Sequence, residues 1–250
     1  MKPTVVDHES KVPLMQRVGV IGGFSQRATL DILERILAYS ASRVPQYGNR
    51  GYPLINLRML NRAPMKLNED GSYPEILEPS SELLESARFI GKDSDFLIIP
   101  SNTPHLFVKE IEKEAGKPVL SIVEVAVSEA MRRGYKRVGV MAIGITLDKR
   151  LYQDPLEKIG IESIALPEDL SKRLDDEGVY PIQEGAEVSE VNNIAFEAVK
   201  YFRSQEVDGI ILGCTEIPIL LGKSANDSDI INPSQLLAEA VVEKALIIST

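Results

Sequence analysis

Short apolar runs alternate with segments of helical periodicity along this chain, and the alternation restarts near its middle. The run "RVGVIGG" at 17–23 leads into helical spacing over 27–42, and "RVGVMAIG" at 137–144 opens the same pattern again. Apolar strands that alternate with helices predict parallel sheets covered on both faces. The sequence therefore predicts an α/β fold of two similar, doubly wound halves related by a rough twofold, with a site in the cleft between them.

The predicted first half comprises 1–120 together with 233–250, and the second comprises 121–232. The last helix is assigned to the first half because it follows the last strand through the short link "INPS". Further strands are predicted at 53–60, 95–101, 117–124, 161–167 and 208–214, and further helices at 73–93 (interrupted by Pro79), 106–116, 124–134, 148–159, 188–203 and 233–247.

Small polar triplets follow two of these strands. Ser101, Asn102 and Thr103 come after "FLIIP", and Cys214 and Thr215 come after "GIILG" with a glutamate behind them. Ligands of open α/β sheets bind at the carboxyl ends of strands. If the two halves face each other, Ser101 and Cys214 lie on opposite walls of one cleft.

Composition and charge exclude several classes of function. The net charge of -9 argues against a nucleic-acid surface, and no apolar run is long enough to cross a bilayer. One cysteine allows no internal disulfide, which fits a cytoplasmic protein. The first sixteen residues lack an apolar signal core and are expected to form a loose tail. His8 and His105 lack ligand spacing, so no metal is expected.

Several of these residues also have ordinary structural interpretations. A single cysteine is usually a buried apolar residue, and Ser101, Asn102 and Thr103 could merely cap a helix. The turn at Gly23 lacks the G-x-G-x-x-G pattern, which argues against a nicotinamide cofactor. It could be a plain strand-to-helix turn, or it could bring backbone N–H groups near a carboxylate. On the residues alone, the prediction is an α/β protein with a small anion site.

Three segments together resemble the aspartate/glutamate racemase family, and the aspartate racemase branch most of all. "PSNTPHLF" is similar to its signature "PCNTAHxF", "GCTE" matches its second signature, and "IGGFSQRAT" resembles its opening "LGGMGPxAT". The resemblance runs from about residue 17 to the final helix. It implies two α/β halves, a homodimer, and inversion of the α-carbon of aspartate or possibly glutamate without a cofactor.

The resemblance also implies roles for particular residues. Cys214 and the residue at position 101 would be the acid/base pair, one on each face of the α-carbon. Asn102, Thr103 and Thr215 would hold the α-carboxylate. Further substrate contacts are predicted for Arg62 on the side-chain carboxylate, for Thr146 and for Gly23. Glu187 stands where aspartate racemases tend to have a lysine for that carboxylate, which weakens the assignment to aspartate.

Ser101 stands where the family has its first cysteine, and an alcohol is a far poorer base than a thiol. An introduced Cys→Ser change, which would suppress turnover, is the explanation we favour. The others are a natural one-cysteine enzyme that exchanges one enantiomer, by family likeness the L form, and a changed reaction.

Three hypotheses follow for the function. The leading one is an aspartate racemase with an impaired first base. The second is a decarboxylase in which Cys214 is the lone proton donor. The third is a binding protein for acidic amino acids that has lost a catalytic group.

Overall fold

The protein is described by a computed structural model that covers residues 13, 15–48 and 50–246. It contains two parallel sheets, as the sequence predicts. The strands are β1 (Val18–Gly22), β2 (Ile55–Met59), β3 (Phe96–Ile98), β4 (Arg137–Met141), β5 (Glu162–Ile164), β6 (Gly209–Leu212) and β7 (Ile230–Ile231). The first sheet has the order β2-β1-β3 and the second β5-β4-β6-β7. Most of the predicted N-terminal tail, including His8, lies outside the described residues. Within the described residues, no helix is both long and apolar enough to cross a membrane.

The two sheets place equivalent strands in equivalent positions. Both "RVGV" runs form inner strands, β1 in one sheet and β4 in the other. On one side, β1 pairs with β3 and β4 pairs with β6, and a polar triplet follows each of these two partner strands. Both triplets therefore emerge from the carboxyl ends of strands that pair directly with an inner strand.

Helices follow most of the strands. They are α1 (Gln26–Arg43), α2 (Ser81–Gly91), α3 (Val108–Ala115), α4 (Ile122–Arg132), α5 (Gly144–Asp148), α6 (Gln153–Lys158), α7 (Glu168–Leu174), α8 (Tyr180–Glu184), α9 (Val188–Val191), α10 (Asn193–Ser204), α11 (Ile217–Leu221) and α12 (Pro233–Leu246). Single 3₁₀ segments span Thr103–Phe107 and Gly222–Asn226, and one π-helical segment spans Asp175–Val179.

Three of the predicted elements are wrong in part. The predicted strand at 117–124 is reduced to one bridge, Val119 to Leu97, because α4 already begins at Ile122 with Ser121 as its N-cap. The helix predicted across Pro79 begins only after it, where the Ser80 hydroxyl accepts from the Leu83 N–H. The helix predicted over 148–159 covers only 153–158 (α6), because a turn over 149–152 separates it from α5, which ends at Asp148.

The predicted C-cap of α3 is confirmed. Gly116 has φ 62° and its N–H donates to the Glu112 carbonyl. A glycine at this position accepts the left-handed conformation without a side-chain clash.

One apolar core runs through both sheets. It joins Val20 of β1 and Ile98 of β3 to Val140 of β4 and Ile211 of β6. Helix α12 packs on this core against α1, and side-chain hydrogen bonds from Arg35 to Gln235 and from Tyr39 and Arg43 to Glu243 join the two helices. The core fixes the two sheets relative to each other, and thereby the positions of the two strand ends that carry the polar triplets. The predicted boundaries at 120 and 233 stay a proposal.

Candidate active site

The two polar triplets meet in one cavity. Ser101 and Cys214 both line a cavity of about 210 Å³, together with Asn102, Thr103 and Thr215. Ser101 follows β3 of the first sheet, and Cys214 follows β6 of the second. The cavity therefore lies between the two halves, with one triplet on each side.

The Cys214 thiol is buried and held by a carboxylate. Its side chain is 5% exposed, and its Sγ–H donates to Oε2 of Glu216 at 2.9 Å. Burial, together with the negative charge of Glu216, raises the pKa of the thiol well above its ordinary value. The resting side chain is consequently a protonated thiol, suited to donating a proton.

Glu216 is the centre of a small hydrogen-bond network. Its Oε2 also accepts from the Thr215 hydroxyl at 3.3 Å, and its Oε1 accepts from the Gln183 amide at 2.9 Å. Glu216 is only 2% exposed. These donors hold the carboxylate in one orientation toward the thiol.

His105 does not activate the hydroxyl of Ser101. Its Nδ1 lies 2.8 Å from the carbonyl oxygen of Ser101, and its Nε2 accepts from the N–H of Ile122 at 3.3 Å. This pairing fits a neutral ring, and burial lowers the pKa of His105 to about 4. The histidine therefore fixes the loop that carries Ser101 and leaves the serine without a basic ring partner.

Two buried groups in the cavity wall lack hydrogen-bond partners among the described residues. The Asn102 amide nitrogen is one, since only its oxygen is engaged, by the Tyr152 hydroxyl at 2.6 Å. The hydroxyl oxygen of Thr146 is the other. Both residues line the cavity, one from each half. Unpaired buried donors of this kind are placed to bind a polar ligand such as a carboxylate.

Three residues singled out in the sequence lie elsewhere. Arg62 is exposed and does not line the cavity, although Ala63 and Pro64 do. The N–H of Gly23 is taken by the hydroxyl of Thr29 at 3.0 Å, so Gly23 shapes the turn and does not offer that N–H to a ligand. Glu187 is exposed at the start of α9 and is also absent from the cavity wall.

The cavity wall also includes side chains for which the sequence predicts no role. Tyr73 from the first half and Tyr180 and Gln183 from the second line it, and so does Glu216. Glu216 stands in the quoted "GCTE" segment, so its proximity to Cys214 was the one available signal. Tyr73, Tyr180 and Gln183 have no motif around them, and only the packing of the two halves brings them to the cavity. In the described part of the chain, no group of three or more His, Cys, Asp or Glu side chains is placed to hold a metal ion.

Comparison with known families identifies the family of this chain. A model of the Asp/Glu/hydantoin racemase family matches residues 21–241, which includes every residue of the cavity wall. The chain belongs to this family.

Two relatives in the family differ in how much of their length is matched. The broad specificity amino-acid racemase RacX of Bacillus subtilis is 23% identical over 92% of this chain and 98% of its own. The glutamate racemase of Aquifex pyrophilus is 29% identical, but over 62% of this chain and 61% of its own.

Solved structures of the family share the fold. The aspartate racemase of Picrophilus torridus has a TM-score of 0.75 at 18% identity, covering 92% of this chain and 94% of its own. The glutamate racemase of Francisella tularensis, solved with D-glutamate, has a TM-score of 0.59 at 22% identity over 94% and 84%. At these identities the likeness shows the fold alone.

Proposed function

We propose that this protein is a cofactor-independent amino-acid racemase, in which Cys214 exchanges the α-proton on one face of the substrate and position 101 serves the other face. The observation that carries the proposal is the single cavity in which Ser101 and Cys214 approach from different halves of the fold. Removing a proton from one face of a carbon and returning one to the other requires a group on each side.

The cavity offers complementary contacts to the α-carboxylate. The unpaired Asn102 amide and Thr146 hydroxyl belong to cavity-lining residues of different halves, so a carboxylate bound there could accept hydrogen bonds from both halves. Such donors also stabilise the negative charge that spreads onto the carboxylate when the α-proton leaves. Thr215 is already engaged with Glu216, which assigns it to the thiol network in this state of the molecule.

The chemistry on the Cys214 side follows from its protonation state. As an acid, the thiol donates its proton to the carbanion and becomes a thiolate. As a base, it first passes its proton to Glu216, and the thiolate then takes the α-proton. Ser101 has no comparable partner in His105, so we expect exchange on its side to be slow. The protein with serine at position 101 should therefore exchange the α-proton of one enantiomer at most.

The test is α-proton exchange in deuterated water, followed by proton NMR for L- and D-amino acids separately. The Ser101→Cys variant is expected to interconvert both enantiomers several orders of magnitude faster than the parent chain. Cys214→Ser, in either background, should abolish the exchange that depends on the thiol. If Ser101→Cys keeps its fold and exchanges neither enantiomer of any amino acid, the racemase proposal is wrong.

Aspartate is the substrate that the sequence resemblance implies, and it needs a cation for its distal carboxylate. Arg62 can supply this only if its side chain turns into the cavity. Among the described residues that line the cavity there is no lysine, arginine or histidine, whereas Glu216 is present. Arg62→Gln should raise KM for aspartate alone if the aspartate hypothesis is right. The described contacts favour an amino acid without a distal carboxylate.

One observation favours a second candidate, a decarboxylase. The carbanion left by decarboxylation needs an acid on one face only. The cavity provides one protonated thiol, Cys214, and has a serine at the other acid/base position. This candidate predicts carbon dioxide release from a substituted malonate by the parent chain, lost in Cys214→Ser. No release, together with α-proton exchange, would eliminate it.

A further inference from the structure

Asp175 is a buried carboxylate close to the proposed active site, and neither the sequence resemblance nor the thiol chemistry gives it a role. It begins the π-helical segment Asp175–Val179, directly after α7. Short π-helical segments in otherwise α-helical regions often occur at functional sites. The inference below depends on the proposed function, because it concerns the amino-acid substrate of the same cavity.

Only one of the two carboxylate oxygens of Asp175 has a hydrogen-bond partner among the described residues. The residue is 9% exposed, its Oδ2 accepts from the N–H of Gly144 at 3.2 Å, and its Oδ1 is buried with no partner among the described residues. Burial raises the pKa of Asp175 to about 6, so the group is still ionised at pH 8. A buried anion with a free acceptor oxygen is stabilised strongly by a cation that reaches it.

Asp175 lies beside the wall of the first cavity. The N–H that its Oδ2 accepts belongs to Gly144, the chain neighbour of Ile143, which lines that cavity. Asp175 itself lines a second cavity of about 380 Å³, which shares Tyr180 with the first. A substrate group that extends past Tyr180 from the first cavity would therefore approach Asp175.

The charge of this passage favours a cation. The second cavity is lined by four acidic side chains, Asp148, Glu168, Asp175 and Asp176, against the single lysine Lys172. The tyrosines on either side of the first cavity present aromatic rings, which attract cations through their faces. Burial and the Asp175 carboxylate raise the pKa of Tyr180 to about 12, so its hydroxyl stays neutral. A side-chain carboxylate entering here would be repelled.

We infer that Asp175, flanked by Tyr73 and Tyr180, is a binding subsite for a primary ammonium group of the amino-acid substrate. Two groups of an amino acid have this chemistry, the ammonium at the end of a basic side chain and the α-ammonium. In the first case the subsite selects basic amino acids. In the second it orients every substrate.

The experiment compares L-lysine with L-norleucine, which has the same four-carbon stem without the terminal ammonium. Exchange of the α-proton is measured for the parent chain, for Asp175→Asn, and for Asp169→Asn, an exposed aspartate on α7 as the matched control. We expect kcat/KM to fall about tenfold or more in Asp175→Asn, the loss of one charged hydrogen bond. A fall for lysine alone identifies the side-chain ammonium, and an equal fall for both identifies the α-ammonium. Unchanged values for both amino acids would overturn the inference.

A second readout separates this inference from the racemase proposal. The chain has one cysteine, so alkylation of Cys214 by iodoacetamide can be followed by mass spectrometry. We expect n-butylammonium to slow this alkylation in the parent chain and in Asp169→Asn, and to lose that effect in Asp175→Asn. This result is independent of any turnover. If no protein exchanges the α-proton but n-butylammonium still protects Cys214 in an Asp175-dependent way, the racemase proposal is rejected and the subsite is kept. Equal protection in all three proteins would reject the subsite.

Discussion

At the scale of single residues, the behaviour of Cys214 depends on its neighbour two positions on. A cysteine at a strand end before a helix is often an exposed thiol of low pKa. Here the thiol is buried against the carboxylate of Glu216, and both effects favour the protonated form. The proton of Cys214 is thus controlled by a residue within its own motif.

Replacing Glu216 with Gln should lower the pKa of Cys214, because the amide removes the negative charge beside the thiol. Alkylation of the thiol at pH 8 should then be faster than in the parent chain, while α-proton exchange should fall because no carboxylate remains to accept the thiol proton. The pH dependence of the alkylation rate measures the first effect. Glu184→Gln, an exposed glutamate on α8, is the control. An unchanged alkylation profile in Glu216→Gln would contradict the assigned role.

Two buried groups should give opposite pH dependences of stability. The pKa of His105 is lowered to about 4 in the fold, so the unfolded chain takes up the proton first and stability is lost as pH falls from about 6.5 toward 4. The full effect is on the order of 3 kcal/mol. The pKa of Asp175 is raised to about 6, so the folded chain takes up that proton first and stability is gained as pH falls from about 6 toward 4.

Urea unfolding at pH 7.5 and pH 5 checks this balance. Relative to the parent chain, His105→Gln should lose less free energy of unfolding on acidification, and Asp175→Asn should lose more. The same loss in all three proteins would show that neither group titrates as described.

At the scale of elements, the turn between β1 and α1 has the tightest steric requirement at Gly23. Its φ is 90°, and a Cβ there would lie 2.1 Å from the carbonyl oxygen of Leu60. Gly23→Ala should therefore cost about 3 kcal/mol, since the left-handed conformation and the backbone clash add. Gly116→Ala is the control, because its φ is also positive but nothing lies within 4 Å, and it should cost about 1 kcal/mol. Chemical denaturation measures both, and equal costs would refute the clash.

At the scale of the whole molecule, the cavity exists only while the two halves keep their relative position. Polar contacts cross between them in addition to the shared core, one of them the hydrogen bond from the Ile122 N–H to Nε2 of His105. The guanidinium of Arg27 donates to the carbonyls of Gly185 and Ala186, Lys149 donates to the carbonyl of Glu75, and the Tyr152 hydroxyl donates to Asn102. The homodimer implied by the resemblance remains a prediction.

The Tyr152 contact is the one buried beside the site, so Tyr152→Phe should affect both stability and activity. The substitution leaves the buried oxygen of Asn102 without its donor, at a cost of about 1–3 kcal/mol. It also frees the amide that we assign to the α-carboxylate, so KM should rise more than kcat falls. Tyr135→Phe, which removes a hydroxyl bonded to Arg133 within the second half, is the control. Thermal unfolding and α-proton exchange report the two effects, and a variant indistinguishable from the parent would contradict both.

The sequence by itself determined the alternation of strands and helices, the restart at the second "RVGV" run, and the two polar triplets, because hydrophobic periodicity and strand ends are local properties. The family motifs extended this to a fold that the structure confirms. Local patterns are least informative over 168–187, where the sequence predicts neither α7 nor the π-helical segment with Asp175 nor α8 with Tyr180 and Gln183.

The tertiary structure alone decided which side chains surround the triplets. Glu216 is two residues from Cys214, yet its carboxylate could have faced solvent, and the hydrogen bonds from Gln183 and Thr215 hold it beside the thiol. Arg62 has the position in the chain that the motif requires, but it is exposed outside the cavity. Tyr73 and Tyr180 are about a hundred residues apart, and only the packing of the two halves brings both to the wall of one cavity. Electrostatics depend on distance and burial, and for residues from different halves these are set by the fold.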